Sequence, residues 1–155
     1  MTSYQASLGP HDSVLLRLVP KTRSPFQAEV GAWSGSAGFG NTFKGHTGMG
    51  YVTGLTTVAS SVTVQIAVTQ AGRHELRFRA ANSTGKKATM TVRALDPATG
   101  QVHGEAMLRV PSTPAWHTWQ SVPVALPMAE GTNLVVCSVE APDQGGINLD
   151  HITLA

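Results

Sequence analysis

Between Ser61 and Thr69 apolar and other residues alternate without a break, Val62, Val64, Ile66 and Val68 being separated by Thr63, Gln65 and Ala67. A period of two places the four branched side chains on one face and predicts a half-buried strand ending at Ala71-Gly72. The same rule predicts a strand from His74 to Ala80 with Leu76 and Phe78 inward, and the short link between the two predicts a hairpin. The pattern recurs at Met90, Val92 and Ala94, at Ala106, Leu108 and Val110, and at Val122, Val124 and Leu126; Leu134 to Val139 reads as a largely buried strand. Tyr51 to Leu55 starts another. Asn82 to Lys87, Asp96 to Gly100, Pro111 to Pro114 and Gly131 fall between these runs and are turn formers. Turns at short intervals with no stretch of helical period predict an all-β fold, an antiparallel β-sandwich or jelly roll. Residues 33–50 are rich in Gly and Ser and are expected to form one long loop. Its Trp33, Phe39 and Phe43 either pack the loop down or extend a binding surface.

The pattern turns to chemistry at the last strand, residues 148–154, which follows Gly145 and Gly146. By the period of two, Asp150, Ile152 and Leu154 share one face, so a carboxylate is expected in line with two core residues. An inward ionised carboxylate is costly unless it is paired or bound to a metal. Gln27 and Glu29 also point one way near the start of the alternating pattern, and such a set of oxygen ligands on two terminal strands suits calcium. Trp116 and Trp119 lie three apart after a proline break, so on a strand they face opposite sides. Trp119, leading into the Val122 strand, is expected in the core, and Trp116 in solvent.

The 155 residues are one domain by size, long enough to bury a core. The formal charge is +2, and the eleven Lys and Arg are scattered with no basic stripe among aromatics, which excludes a nucleic-acid partner. No apolar run is longer than a strand, so no membrane span is expected, and no export signal stands in this stretch. Cys137 is the only cysteine, which leaves a small core residue and no intrachain disulfide. Nine acidic residues and six histidines show no catalytic pair, triad or metal-ligand spacing, so no enzyme is expected.

Five pieces, Gln27-Ala28-Glu29, Gly45 to Val52, Arg79-Ala80-Ala81-Asn82, Trp116-His117-Thr118-Trp119 and Asn148-Leu149-Asp150, resemble in order and spacing carbohydrate-binding module family 35, close to family 6. The resemblance covers residues 25–155 and implies a calcium-bearing sandwich attached to polysaccharide-degrading enzymes. It implies that Gln27, Glu29 and Asp150, with backbone carbonyls from Lys44 to Gly48, hold a structural calcium. Gln27 stands where an acidic residue is often found, which reduces the ligand charge. It further implies Trp116 as the platform for a sugar ring, Asn148 and Asn82 as partners of sugar hydroxyls, and Arg79 as an additional contact; Tyr51 is read as core.

Residues 1–24 do not fit the module. Leu8 to Pro20, with Val14, Leu16 and Leu18 on one face, resembles the last strand of the C-terminal domain in glycoside hydrolase family 27, the α-galactosidase group; a linker or extra edge strand is the alternative. The function implied is a secreted, monomeric, non-catalytic module that targets a parent glycoside hydrolase in the same chain to a plant polysaccharide, galactose-containing if the second resemblance holds. Two alternatives stand: a uronic-acid ligand, with Arg79, Lys86 or Lys87 supplying charge, and a structural or protein-interaction sandwich.

Overall fold

The computed structural model describes residues 24–155; the strand and the hydrolase-like terminus expected between Leu8 and Pro20 lie outside the described residues. From Phe26 the chain forms β1 (Phe26–Gln27), a single 3-10 turn (Ala28–Val30), β2 (Ala32–Ser34), β3 (Gly38–Gly40), β4 (Tyr51–Leu55) and β5 (Ser61–Val68). It continues through β6 (Gly72–Ala81), β7 (Ala88–Leu95), β8 (Val102–Val110), β9 (Gln120–Met128), β10 (Gly131–Ser138) and β11 (Ile147–Leu154). One sheet runs β3-β4-β11-β6-β9, with β1 adding to the far half of β11, and the other runs β2-β5-β10-β7-β8. Every pairing among the described residues is antiparallel.

The alternation read from the sequence is what fills the space between the sheets. Val62, Val64, Ile66 and Val68 of β5, with Met90, Val92 and Ala94 of β7 and Leu108 and Val110 of β8 in the same sheet, face Leu76 and Phe78 of β6 and Val124 and Leu126 of β9 in the other across one core. Cys137 is fully buried there, and burial pushes its thiol up to about 12, so it stays protonated and inert.

Three expectations are corrected. The short link after Val68 does not close a hairpin, because β5 bonds β2 and β10 while β6 bonds β11 and β9. The link instead carries the chain across the sandwich from one sheet to the other. Residues 33–50 are not one loop, since β2 pairs with β5 and β3 with β4, leaving 41–50 as the loop proper. Trp33 and Phe39 lie on these short edge strands, partly exposed.

The third correction decides the chemistry. Ile147 and Leu149 belong to the core, and so do Ile152 and Leu154. An odd pair followed by an even pair requires the phase to slip between them, and the register of β11 on β6 jumps from Leu149↔Ala80 to His151↔Arg79. A β-bulge of this kind inserts one residue without a partner and re-aims its neighbours. Asp150 is the inserted residue. It leaves the face of Ile152 and Leu154 and is buried on the other side of the sheet, under the 41–50 loop.

Candidate functional site

The outer face of the six-stranded sheet is covered at one end by two loops, residues 41–50 and 111–119. Asp150 is 0% exposed. Its Oδ1 and Oδ2 accept the Thr47 backbone N–H at 2.9 and 3.1 Å, and Oδ2 also accepts Nη1 of Arg79, the residue in register with His151. Thr47 Oγ1 lies 3.2 Å from Asp150 Oδ1, 2.8 Å from His151 Nδ1 and 3.1 Å from the Gln27 amide nitrogen that donates to it. The His151 imidazole is held below its usual range by burial, with Asp150 pulling the other way, which favours the neutral ring.

Glu29, at 6% exposure, sits in the 3-10 turn that β1 feeds. Its Oε1 accepts the Met49 N–H at 3.0 Å, while its Oε2 is buried with no hydrogen-bond partner among the described residues. Gly48 has a φ of +63°, and a Cβ placed there meets Glu29 Oε1 and the Gln27 amide. A side chain at 48 is therefore excluded twice, by conformation and by space. Gln27, Glu29 and Asp150 are thus brought together around Thr47 to Met49. The loop faces the two carboxylates with N–H groups, however, and the Lys44 and Gly45 carbonyls are engaged by Trp119 and Arg79. Among the described residues no group of three His, Cys, Asp or Glu is placed to hold a metal ion.

The aromatic residues form a second group beside this one. Tyr51 is buried but lies outside the inter-sheet core, its ring centre 5.3 Å from Trp119 and 6.4 Å from Phe43. Phe43 stacks on Trp116 at 6.1 Å with 27° between planes. Trp116 is half-buried rather than free in solvent. Trp119 is also half-buried, so the expectation of a core tryptophan is corrected: its Nε1 donates to Lys44 O at 3.0 Å and its ring packs under the loop, not between the sheets. A depression of about 320 Å³ opens beside the stacked pair, lined by Thr42, Phe43, Lys44 and His117.

The two asparagines separate. Asn82 is 0% exposed; its Nδ2 donates to Lys86 O at 2.7 Å and Val110 O at 3.0 Å, and its Oδ1 accepts from the Thr84 N–H and hydroxyl. The expected contact with sugar is corrected, because the amide has no donor or acceptor left and no access to solvent. Asn82→Ala is expected to lower the unfolding free energy by about 1–3 kcal/mol, since it leaves buried partners unpaired. Denaturant titration checks this, and an unchanged midpoint would remove the turn role. Asn148 is 4% exposed on the side of β11 opposite Ile147 and Leu149, and its amide makes no hydrogen bond among the described residues. It lies at the same end of the sheet as the tryptophan loop, opposite Ala81, while Ala80 pairs with Gln120 at the loop's exit. Thr47, His151 and the stacking role of Phe43 were missed from the sequence. Glycines on both sides of His46-Thr47 were the available signal that this backbone is approached closely.

Two antiparallel sheets that gather aromatic rings and amide-bonded carboxylates under the loops of one end are the build of a binding module. The chain belongs to carbohydrate binding module family 6, whose model matches residues 27–155. The resemblance expected was to family 35 with family 6 as its neighbour; family 35 modules enter as neighbours in fold. One from Clostridium thermocellum superposes at a TM-score of 0.72 over 84% of this chain and 95% of its own, with 24% identity. Isomalto-dextranase of Arthrobacter globiformis is 32% identical over 96% of this chain, and its structure with panose superposes at 0.79 over 84% of this chain and 23% of that one. A Paenibacillus cycloisomaltooligosaccharide glucanotransferase complexed with cycloisomaltoheptaose superposes at 0.75 with 28% identity, over 85% of this chain and 18% of that one. The chain spans a quarter of the length of the isomalto-dextranase it matches.

Proposed function

We propose that residues 25–155 are a non-catalytic module that binds α-glucan with 1,6 linkages and holds an associated carbohydrate-active domain of the same polypeptide on that substrate, outside the cell. The carrying observation is the stacked Phe43–Trp116 pair beside an open depression, with the Asn148 amide, which makes no hydrogen bond among the described residues, at the same end of the sheet. An aromatic face takes the C–H face of a pyranose, and an amide with both donors and an acceptor free selects hydroxyl geometry. The choice of glucan over galactose is supported by relatives at 28% identity or more that are named for isomalto compounds or for 1,6-α-glucosyl transfer, isomalto-dextranase and a 1,6-α-glucosyltransferase among them. The galactose expectation rested on residues 8–20. A glycan array of isomaltooligosaccharides, galactosylated plant oligosaccharides and glucuronic-acid-bearing oligosaccharides tests the reading. Isomaltooligosaccharides are expected to give the strongest signal; preference for either other class would replace the ligand, and no signal at all would remove the function.

We also infer a calcium ion held by Gln27, Glu29 and Asp150. The fit rests on the unpartnered, buried Glu29 Oε2, which is costly unless a cation or donor reaches it. When bound, the ion supplies charge neutralisation between β1 and β11. The residues of this chain do the rest, Gly48 leaving the space and Thr47 and Met49 orienting the carboxylates.

A further inference from the structure

We propose that Arg79 is a positioning residue of the sugar platform, acting through Trp119 and the 43–45 loop rather than by touching sugar; this rests on the platform reading above. Arg79 stands on the outer side of β6, between the core residues Phe78 and Ala80. One guanidinium makes three contacts. Nη1 donates to Asp150 Oδ2 and, at 2.9 Å, to Gly45 O, and the group lies over Trp119 with its carbon 5.5 Å from the ring centre. From there the contacts lead outward without a gap. Trp119 Nε1 holds Lys44 O, the Trp119 ring packs on Tyr51, the Tyr51 hydroxyl accepts the Phe43 N–H at 3.2 Å, and the Phe43 ring stacks on Trp116.

The three consecutive residues Phe43, Lys44 and Gly45 are therefore pinned by Tyr51, Trp119 and Arg79 in turn. Gly45 has a φ of +90° and sits so close that an added Cβ would be 3.1 Å from Trp119 Cδ1, so the loop lies directly on the indole. The guanidinium face stacks while its edge bonds, a combination open to arginine and closed to lysine. Removing it releases Gly45 O and one face of Trp119 together. The ring of Phe43 then loses its fixed angle to Trp116, and the platform is no longer assembled before sugar arrives.

Arg79→Lys and Arg79→Met, at saturating calcium, test this with isomaltoheptaose and with the strongest glycan of the array as probes. Both variants are expected to bind about tenfold or more weakly at temperatures where they are fully folded, Lys no better than threefold above Met. The free variants should also show faster hydrogen exchange at the Phe43 amide and a diminished near-ultraviolet circular dichroism band from the Trp119–Tyr51 pair. Weaker binding with the exchange rate and the band of the parent means that Arg79 touches sugar, and overturns the proposal; so does unchanged affinity. If neither variant folds, Trp119→Phe, which keeps an aromatic ring but drops the bond to Lys44, carries the test. It is expected to weaken binding several-fold, and parental affinity overturns the proposal. A parent that binds no glycan overturns the platform reading itself, and this role with it, an outcome separate from the others because it is seen before any variant is made.

Discussion

Trp116→Ala is expected to remove measurable glycan binding while leaving the calcium-dependent melt of the protein in place. The indole is the larger half of the stacked pair, and losing roughly 80 Å² of apolar contact costs about 2 kcal/mol, or some thirtyfold in affinity. A shallow site has little to spare: at a parent dissociation constant of order 0.1 mM, thirtyfold leaves binding beyond ordinary titration. Trp116 lies on a loop and outside the core cluster, so the fold does not depend on it. Phe43→Ala should weaken binding less, because the remaining indole still presents one face. Isothermal titration with the array's best glycan checks both. A Trp116→Ala protein that binds like the parent moves the site elsewhere, with the partly exposed Trp33 and Phe39 the next rings to test.

The second large effect is a reversal of sign at Glu29. In chelator, Glu29→Gln is expected to melt at or above the parent, because it exchanges a buried carboxylate with one unpartnered oxygen for a neutral amide. In calcium the order should invert. Free calcium at a hundred times its dissociation constant stabilises the parent by about 2.7 kcal/mol, a rise of several degrees in midpoint, and the variant loses most of that gain. Asp150→Ala should be worse under both conditions, by about 3–5 kcal/mol, since it also strips Arg79 of its carboxylate. Scanning calorimetry of the three proteins with calcium and with chelator checks the pattern. The same order of Glu29→Gln and parent in both buffers removes the metal site.

The sheets were legible because alternation is a local property. Each of Val62 to Val68, Leu76 to Phe78 and Met90 to Ala94 needs only its own neighbours to declare a face, and all of them lie in the core. What was not legible depends on partners distant in the chain. Nothing between Ser61 and Ala80 says that one strand joins β10 and the other β11, so a hairpin is the natural reading and the crossing between sheets is invisible. The bulge at Asp150 is a mismatch between two strands about seventy residues apart, and a rule of two applied along β11 alone must assign the carboxylate to the wrong side. Gln27, Glu29 and Asp150 nonetheless converge, because what brings them together is the pairing of β1 with β11 and the cover of the glycine-bounded loop. Asn82 misled for a chemical reason: the four-way hydrogen bonding that suits an amide to sugar also suits it to its own turn, and only burial tells the two apart. Trp119 misled for a geometric one, since an apolar ring entering a strand is covered equally well by a loop as by a second sheet.

Phe26 pairs with Ile152 in antiparallel register, so the chain enters and leaves the sandwich side by side, next to Leu154. Asn148 is toward the opposite end of β11, and six residues of extended chain put about 20 Å between it and Leu154. Such a unit has both of its seams at one end of β11 and the Asn148 amide, part of the proposed sugar site, toward the other. Spliced into an exposed loop of an unrelated carrier protein, it is a plug-in cassette whose two seams share one socket.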